Sequence, residues 1–146
     1  MCILPITRDN IDDCLPAFIK SYNSAPWNAQ WTTETARLYL NEYLANPHFA
    51  GFILKDENDV IGAVCAHKKT WWTNKQLFID EFFISPEKQR QGYGKLLMNQ
   101  CAEYSRENGL ELLVLMTNKY MPAYKFYNKT GYVNAEQFVF MFKQII

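Results

Sequence analysis

The residues best suited to chemistry lie in one run, Leu77 to Lys95, Leu-Phe-Ile-Asp-Glu-Phe-Phe-Ile-Ser-Pro-Glu-Lys-Gln-Arg-Gln-Gly-Tyr-Gly-Lys. Asp80 and Glu81 stand inside an otherwise apolar and aromatic stretch, where an unpartnered carboxylate is costly to bury. Burial in a cleft would lift such a carboxyl toward the range of a useful base, whereas a salt bridge to a neighbouring Lys or Arg is the plainer alternative. Adjacent strand residues point to opposite faces, so at most one of the pair is expected to look into a given cleft. Further on, Gly92 and Gly94 flank Tyr93 at the start of a helical pattern. Two glycines there clear side chains from a place where something must approach the backbone. They leave N–H groups pointing outward at the positive end of the helix dipole, an anion site best suited to phosphate.

The spacing rules out the common nucleotide loops. A Walker A loop needs Gly-Lys-Ser/Thr, and here Lys95 is followed by Leu96; a Rossmann fingerprint needs a third glycine where Leu97 stands. His48 and His67 read as core or surface histidines. Cys2, Cys14, Cys65 and Cys101 are widely spaced, with no Cys-x-x-Cys and no histidine at metal spacing, so reduced thiols and no metal are expected.

The elements that must position these residues follow from periodicity. Leu77–Ile84 is dense in large apolar residues, as a buried strand should be, and Ser85-Pro86 ends it. Gln91 to Asn108 has helical spacing, with Leu97, Cys101 and Tyr104 on one face and Gly109 as the stop. Upstream, Cys2–Ile6 suits an edge strand that tolerates Pro5. Helices follow from Asn10 to Tyr22, through Ile11, Cys14, Leu15 and Phe18, and from Thr32 or Thr33 to Asn46, through Ala36, Leu40, Tyr43 and Leu44. Phe49–Leu54 and Val60–His67 form a hairpin about the polar turn 56–59, and Lys68–Lys75, with Trp71 and Trp72, links it to Leu77. Downstream come a strand at Leu112–Met116, a helix from Pro122 to Thr130 with Gly131 as its stop, and strands at Tyr132-Val133 and Gln137–Lys143. The order predicts an α/β fold, a mixed sheet with helices on both faces.

At 146 residues the chain predicts one domain, 1–146. Fifteen acids balance fifteen bases, which gives no basic footprint for nucleic acid. No stretch approaches a membrane span or a signal peptide, so a cytoplasmic protein without membrane partners is expected, as monomer or homodimer. The 16% aromatic content suits a pocket or a subunit interface as well as a core.

Gln89-x-x-Gly92-x-Gly94, preceded by Ile84-Ser85-Pro86 and followed by Leu96-Leu97, resembles the pyrophosphate loop of the GNAT superfamily of N-acetyltransferases. A second run, Ala123-Tyr124-Lys125-Phe126-Tyr127-Asn128-Lys129-Thr130-Gly131-Tyr132, is similar to that family's C-terminal motif, and the element order agrees along essentially the whole chain. The resemblance implies a GNAT-like acyl-CoA N-acyltransferase fold, single-domain with a mostly antiparallel central sheet. Acetyl-CoA would be the co-substrate and a primary amine the acceptor, with direct transfer in a ternary complex. It implies cofactor contacts at Gln89, Arg90, Gln91, Gly92, Tyr93, Gly94 and Lys95, and pantetheine pairing near Phe83 and Ile84 where two strands splay. Tyr127 takes the position of the acid that protonates the departing thiolate. The Asn often found seven residues before that tyrosine is Tyr120 here, and Asn118 stands two residues earlier. Asp80 and Glu81 are both candidates for the base, and Asp80 is nearer than Glu81 to the position of an acid in some aminoglycoside-modifying members. Trp27, Trp31, Trp71 and Trp72 either wall the acceptor pocket or belong to the core. A small amine such as a polyamine or an amino sugar is the expected acceptor; a protein or peptide amine, or a non-catalytic acyl-CoA-binding module, is the alternative.

Overall fold

The computed structural model describes residues 1–146. Strand β1 (Cys2–Pro5) leads through a 3-10 turn to helices α1 (Leu15–Asn23) and α2 (Thr33–Leu44). Strands β2 (Phe49–Asp56), β3 (Asp59–Thr70) and β4 (Lys75–Ile84), helix α3 (Tyr93–Glu107), strand β5 (Leu112–Leu115) and helix α4 (Pro122–Lys129) follow. Five strands form one sheet in the order β1-β2-β3-β4-β5, antiparallel except for the β4–β5 pair. Pro5 lies on an edge strand, the one place where its missing N–H costs no ladder bond.

Side-chain alternation assigns the two faces of the sheet. Ile53, Ala63, Cys65 and Phe83 join Leu15, Phe18, Ala36 and Leu40 in one core cluster, so α1 and α2 cover that face. Phe52, one residue from Ile53, stacks edge-on to Tyr104 of α3 at 5.6 Å, which puts α3 on the other. Helix α2 starts at a capping box in which Thr32 Oγ1 accepts from the Thr35 amide and Thr35 Oγ1 from the Thr32 amide, at 3.1 and 2.9 Å.

Four expectations need correction. The first helix opens with a 3-10 turn, Ile11–Cys14, and becomes α-helical at Leu15, next to Pro16. Helix α3 starts at Tyr93 instead of Gln91, because Arg90 and Gly92 hold positive φ values of 61° and 87° and break helical geometry there. The expected linker Lys68–Lys75 is half strand and half a tight turn: β3 runs on to Thr70, β4 begins at Lys75, and Trp71 N–H closes the hairpin on Asn74 O at 2.9 Å. Past Thr130 no strand forms. Tyr132-Val133 and Gln137–Lys143 have strand-like composition but adopt no strand, and Phe138 to Phe142 are exposed.

The chain divides into two units, Met1–Met116, which holds the sheet, and Thr117–Ile146, which holds α4.

Candidate active site

The two adjacent acids of the first unit lie at a bulge. Cys65 of β3 pairs with Glu81 and Ala66 with Ile79, which leaves Asp80 as an extra residue in β4. His67 shares the face of Ala63 and Cys65 by alternation, and its Nδ1 lies 2.6 Å from Asp80 Oδ2. Glu81 meets helices on that same face. The Tyr22 hydroxyl of α1 donates to its Oε1, and the Tyr39 hydroxyl of α2 donates to its Oε2 at 2.8 Å. The two acids therefore share one face, and the expectation that they point apart is corrected: the extra residue cancels the alternation.

Glu81 is ringed by aromatic groups. Tyr39 bonds hydroxyl to hydroxyl with Tyr43 at 2.6 Å and packs on Trp31 at 5.0 Å, while Tyr22 packs on Trp27 at 5.6 Å and on Phe83 at 6.3 Å. Burial pushes the Glu81 carboxyl above its ordinary range, against the bonds from Tyr22 and Tyr39 that pull it down. Burial likewise raises the Tyr39 and Tyr43 phenols, with the nearby Glu81 charge adding to it. Asp80 has instead the partner expected of a structural acid, although a histidine and not the Lys or Arg foreseen, and His67 also stacks on Phe78 at 5.4 Å.

Trp27 and Trp31 join this group, and Asn23 fixes Trp31 through two 2.9 Å bonds to its backbone. Trp71 and Trp72 do not; they sit exposed at the β3–β4 hairpin tip, Trp72 at 87%. Sequence reasoning did not single out Tyr22, Tyr39 or Tyr43. Tyr22 and Tyr43 had been placed on apolar helix faces, and the i, i+4 spacing of two tyrosines aimed at an acid-bearing strand was the available signal.

Beyond the acids, β5 pairs with β4 only from Gln76 to Ile79, so Asp80 to Ile84 have no neighbour in β5. The carbonyl of Ile84 accepts from Ser21 Oγ at 3.2 Å and Gln89 Nε2 at 3.0 Å, which ties the loop to the end of β4. Phe83 and Ile84 are buried, and Phe83 packs edge-on to Phe18 at 5.5 Å. Gln91 Nε2 donates to Glu87 O at 3.1 Å. Arg90 and Gly92 make the turn into α3, whose first amides, on Tyr93, Gly94 and Lys95, precede its first internal bond, Leu96 N–H to Gly92 O at 3.1 Å. A Cβ built on Gly92 would meet nothing within 4 Å, so the cradle opens outward. The outward amides and the open space at Gly92 suit a pyrophosphate. No group of three or more His, Cys, Asp or Glu is placed to hold a metal ion.

In the second unit, Asn118 Oδ1 accepts from Tyr120 N–H at 2.9 Å in the turn before α4. Tyr127 is 8% exposed, edge-on to Phe126 and Tyr132 at 5.4 and 5.2 Å.

The family model described as "Acetyltransferase (GNAT) family" matches residues 16–132, and the chain belongs to that family. Among solved structures, a probable acetyltransferase superposes with a TM-score of 0.80 at 19% identity, covering 100% of this chain and 99% of that one. An aminoglycoside acetyltransferase, meta-AAC0020, from an uncultured soil metagenomic sample, in complex with sisomicin, gives 0.77 at 18% identity, covering 99% and 96%. The apo aminoglycoside antibiotic 6'-N-acetyltransferase AAC(6')-IG from Acinetobacter haemolyticus gives 0.77 at 14% identity, covering 100% of both chains. At these identities the likeness is one of fold. No curated protein matches the chain in sequence. No helix is long and apolar enough to cross a membrane.

Proposed function

We propose that the protein is an N-acetyltransferase that moves the acetyl group of acetyl-CoA to the primary amine of a small acceptor. The observation that carries the reading is the combination, at the end of β4, of the amide-rich turn into α3 with Glu81 on the α1/α2 face, β4 having left its pairing with β5 after Ile79. The family match runs across the division between the two units, which supports their acting as one acetyltransferase domain.

The amides of Tyr93, Gly94 and Lys95, with the Arg90 and Lys95 side chains, would hold the pyrophosphate; backbone near Phe83 and Ile84 would guide the pantetheine arm, and Asn118 would add a contact. Bound there, acetyl-CoA supplies an activated thioester. The acceptor must attack as a neutral amine, so a proton has to leave it first, and Glu81 is the acid with the environment of a proton acceptor. Asp80, joined to His67, orients the bulge instead. Tyr127 gives its hydroxyl proton to the departing thiolate. Trp27 and Trp31 wall the acceptor side, where acid and aromatic rings together favour a cation. Nothing pairs an activated nucleophile with a base: burial pushes the Cys14 and Cys101 thiols up to about 12 and the Cys65 thiol well above its ordinary value. Initial rates with varied acetyl-CoA and amine should therefore give intersecting lines, as a ternary complex requires; parallel lines would point to an acetyl-enzyme and contradict the reading.

The aminoglycoside acetyltransferases of like fold favour an amino-sugar or polyamine acceptor over a protein.

A further inference from the structure

Glu81 is not placed to meet an acceptor by the shortest route. Each of its oxygens already accepts a phenol, Tyr22 from α1 and Tyr39 from α2, and Trp31 and Phe83 pack around those rings. The polarity of the hydrogen bonds beyond it is fixed by counting protons. An ionised carboxylate only accepts, so the single hydroxyl proton of Tyr39 goes to Glu81 Oε2. The 2.6 Å contact between Tyr39 and Tyr43 must then use the Tyr43 proton, which leaves the Tyr43 oxygen as the accepting end of the chain. Tyr43 is half-buried and lies one helical turn from Tyr39 on α2, the helix that covers this face.

Resting on the acetyl-transfer reading, we propose that Tyr43, Tyr39 and Glu81 form a proton relay that neutralises the acceptor ammonium, with Tyr43 as the group that touches it. The acceptor R–NH3+ gives a proton to the Tyr43 oxygen as the Tyr43 proton passes to Tyr39 and the Tyr39 proton to Glu81. A neutral amine, two intact phenols and one carboxylic acid result. No electrons move between molecules, and the reverse passage returns the proton to water once the product has left. The groups that face Glu81 suit this role. Tyr22 steadies the carboxylate, Cys65 opposite on β3 stays a thiol, and the neighbouring charge of Asp80, itself shared with His67, favours proton uptake by Glu81. Tyr39 and Glu81 act through Tyr43 and position it.

If the same bonds served only to hold α2 on the sheet, removing them would lower activity equally at every pH. The relay makes a different demand, because an acceptor already neutral in solution does not need it. The test is thiol release from acetyl-CoA with a panel of primary amines from about pH 6 to about pH 10, near the ordinary amine pKa. It compares the parent with Tyr43→Phe, Tyr39→Phe, Glu81→Gln and the Tyr43→Phe/Glu81→Gln double variant. The relay predicts a loss of about 100-fold in kcat near neutrality for each single variant, shrinking steadily as pH rises. It also predicts that the double variant is no worse than either single one, and that acetyl-CoA affinity by calorimetry does not change. A loss constant across pH, multiplicative losses in the double variant, or full activity in Tyr43→Phe would each overturn the relay while leaving acetyl transfer standing. Absence of thiol release by the parent with every amine would remove both. Should a phenylalanine variant not fold, Glu81→Gln, which keeps the side chain's size, carries the pH comparison alone.

Discussion

Asp80 and Glu81, neighbours in β4, present their carboxyl groups on the same face of the sheet, one against His67 Nδ1 at 2.6 Å and the other against Tyr39 at 2.8 Å. The bulge that allows this gives the two acids different surroundings. Asp80 has a titratable partner within its own sheet, whereas Glu81 is surrounded by phenols from two helices and carries the penalty of burial. In turnover, Glu81→Gln should therefore cost more than Asp80→Asn.

That penalty has a sign in stability. The folded-state pKa of Glu81 is raised by burial, so the native protein holds this proton more tightly than the unfolded chain does. The cost of the ionised form is absent below the unfolded value of about 4.3 and grows as pH rises through the window up to the folded value. The amide introduced by Glu81→Gln does not titrate. Urea unfolding of parent and variant should show the parent losing ground to the variant as pH rises through that window, by no more than about 1.4 kcal/mol per pH unit. A parent that gained ground instead would place Glu81 among carboxylates stabilised as anions.

Gly92 separates strain from ligand contact. Its φ of 87° strains any L side chain, yet a Cβ there meets nothing within 4 Å. Gly92→Ala should cost roughly 1–2 kcal/mol of stability from the left-handed conformation alone. If a pyrophosphate lies against that turn, calorimetry should in addition show acetyl-CoA binding weakened by about tenfold or more. A stable, unimpaired binder would move the anion site elsewhere.

Tyr127→Phe keeps a ring packed between Phe126 and Tyr132 and removes only the hydroxyl. Turnover should fall by about 100-fold, with acetyl-CoA affinity nearly intact, because the proton matters to the departing thiolate and not to the ground state. Unchanged turnover would make Tyr127 a packing residue of α4.

Of the four cysteines only Cys2 is exposed. The native protein should accordingly react with a thiol reagent at Cys2 first, and at Cys14, Cys65 and Cys101 only on unfolding, since buried thiols held neutral are poor nucleophiles. Peptide mapping after brief labelling reads this directly.

The sheet and its helices were largely legible because their signals are local. Pro5 marked an edge, Gly92 and Gly94 marked a helix start, two apolar runs about the polar turn 56–59 marked β2 and β3, and helical spacing marked α2 and α3. What sequence reading missed depends on distant pairing. The bulge at Asp80 exists only in the register of β4 against β3, so alternation counted along one strand gave the wrong face. The hydrogen bonds of Tyr22, Tyr39 and Tyr43 depend on a carboxylate dozens of residues away, and on an apolar helix face a tyrosine looks like any packing residue. Phe138 to Phe142 failed in the opposite sense, because strand composition makes no strand without a neighbour to pair with.

The central claim is that this chain transfers an acetyl group from acetyl-CoA to an amine. The direct measurement is CoA thiol release with primary amines and amine-bearing peptides, the acetylated product confirmed by mass and Gly94→Trp included as the variant with an obstructed phosphate turn. The account predicts thiol release that requires both acetyl-CoA and a small amine, an acetylated amine in equal amount, and none of either from Gly94→Trp. Acetyl-CoA bound by the parent with no thiol released for any acceptor would contradict it and leave a binding module of the same fold.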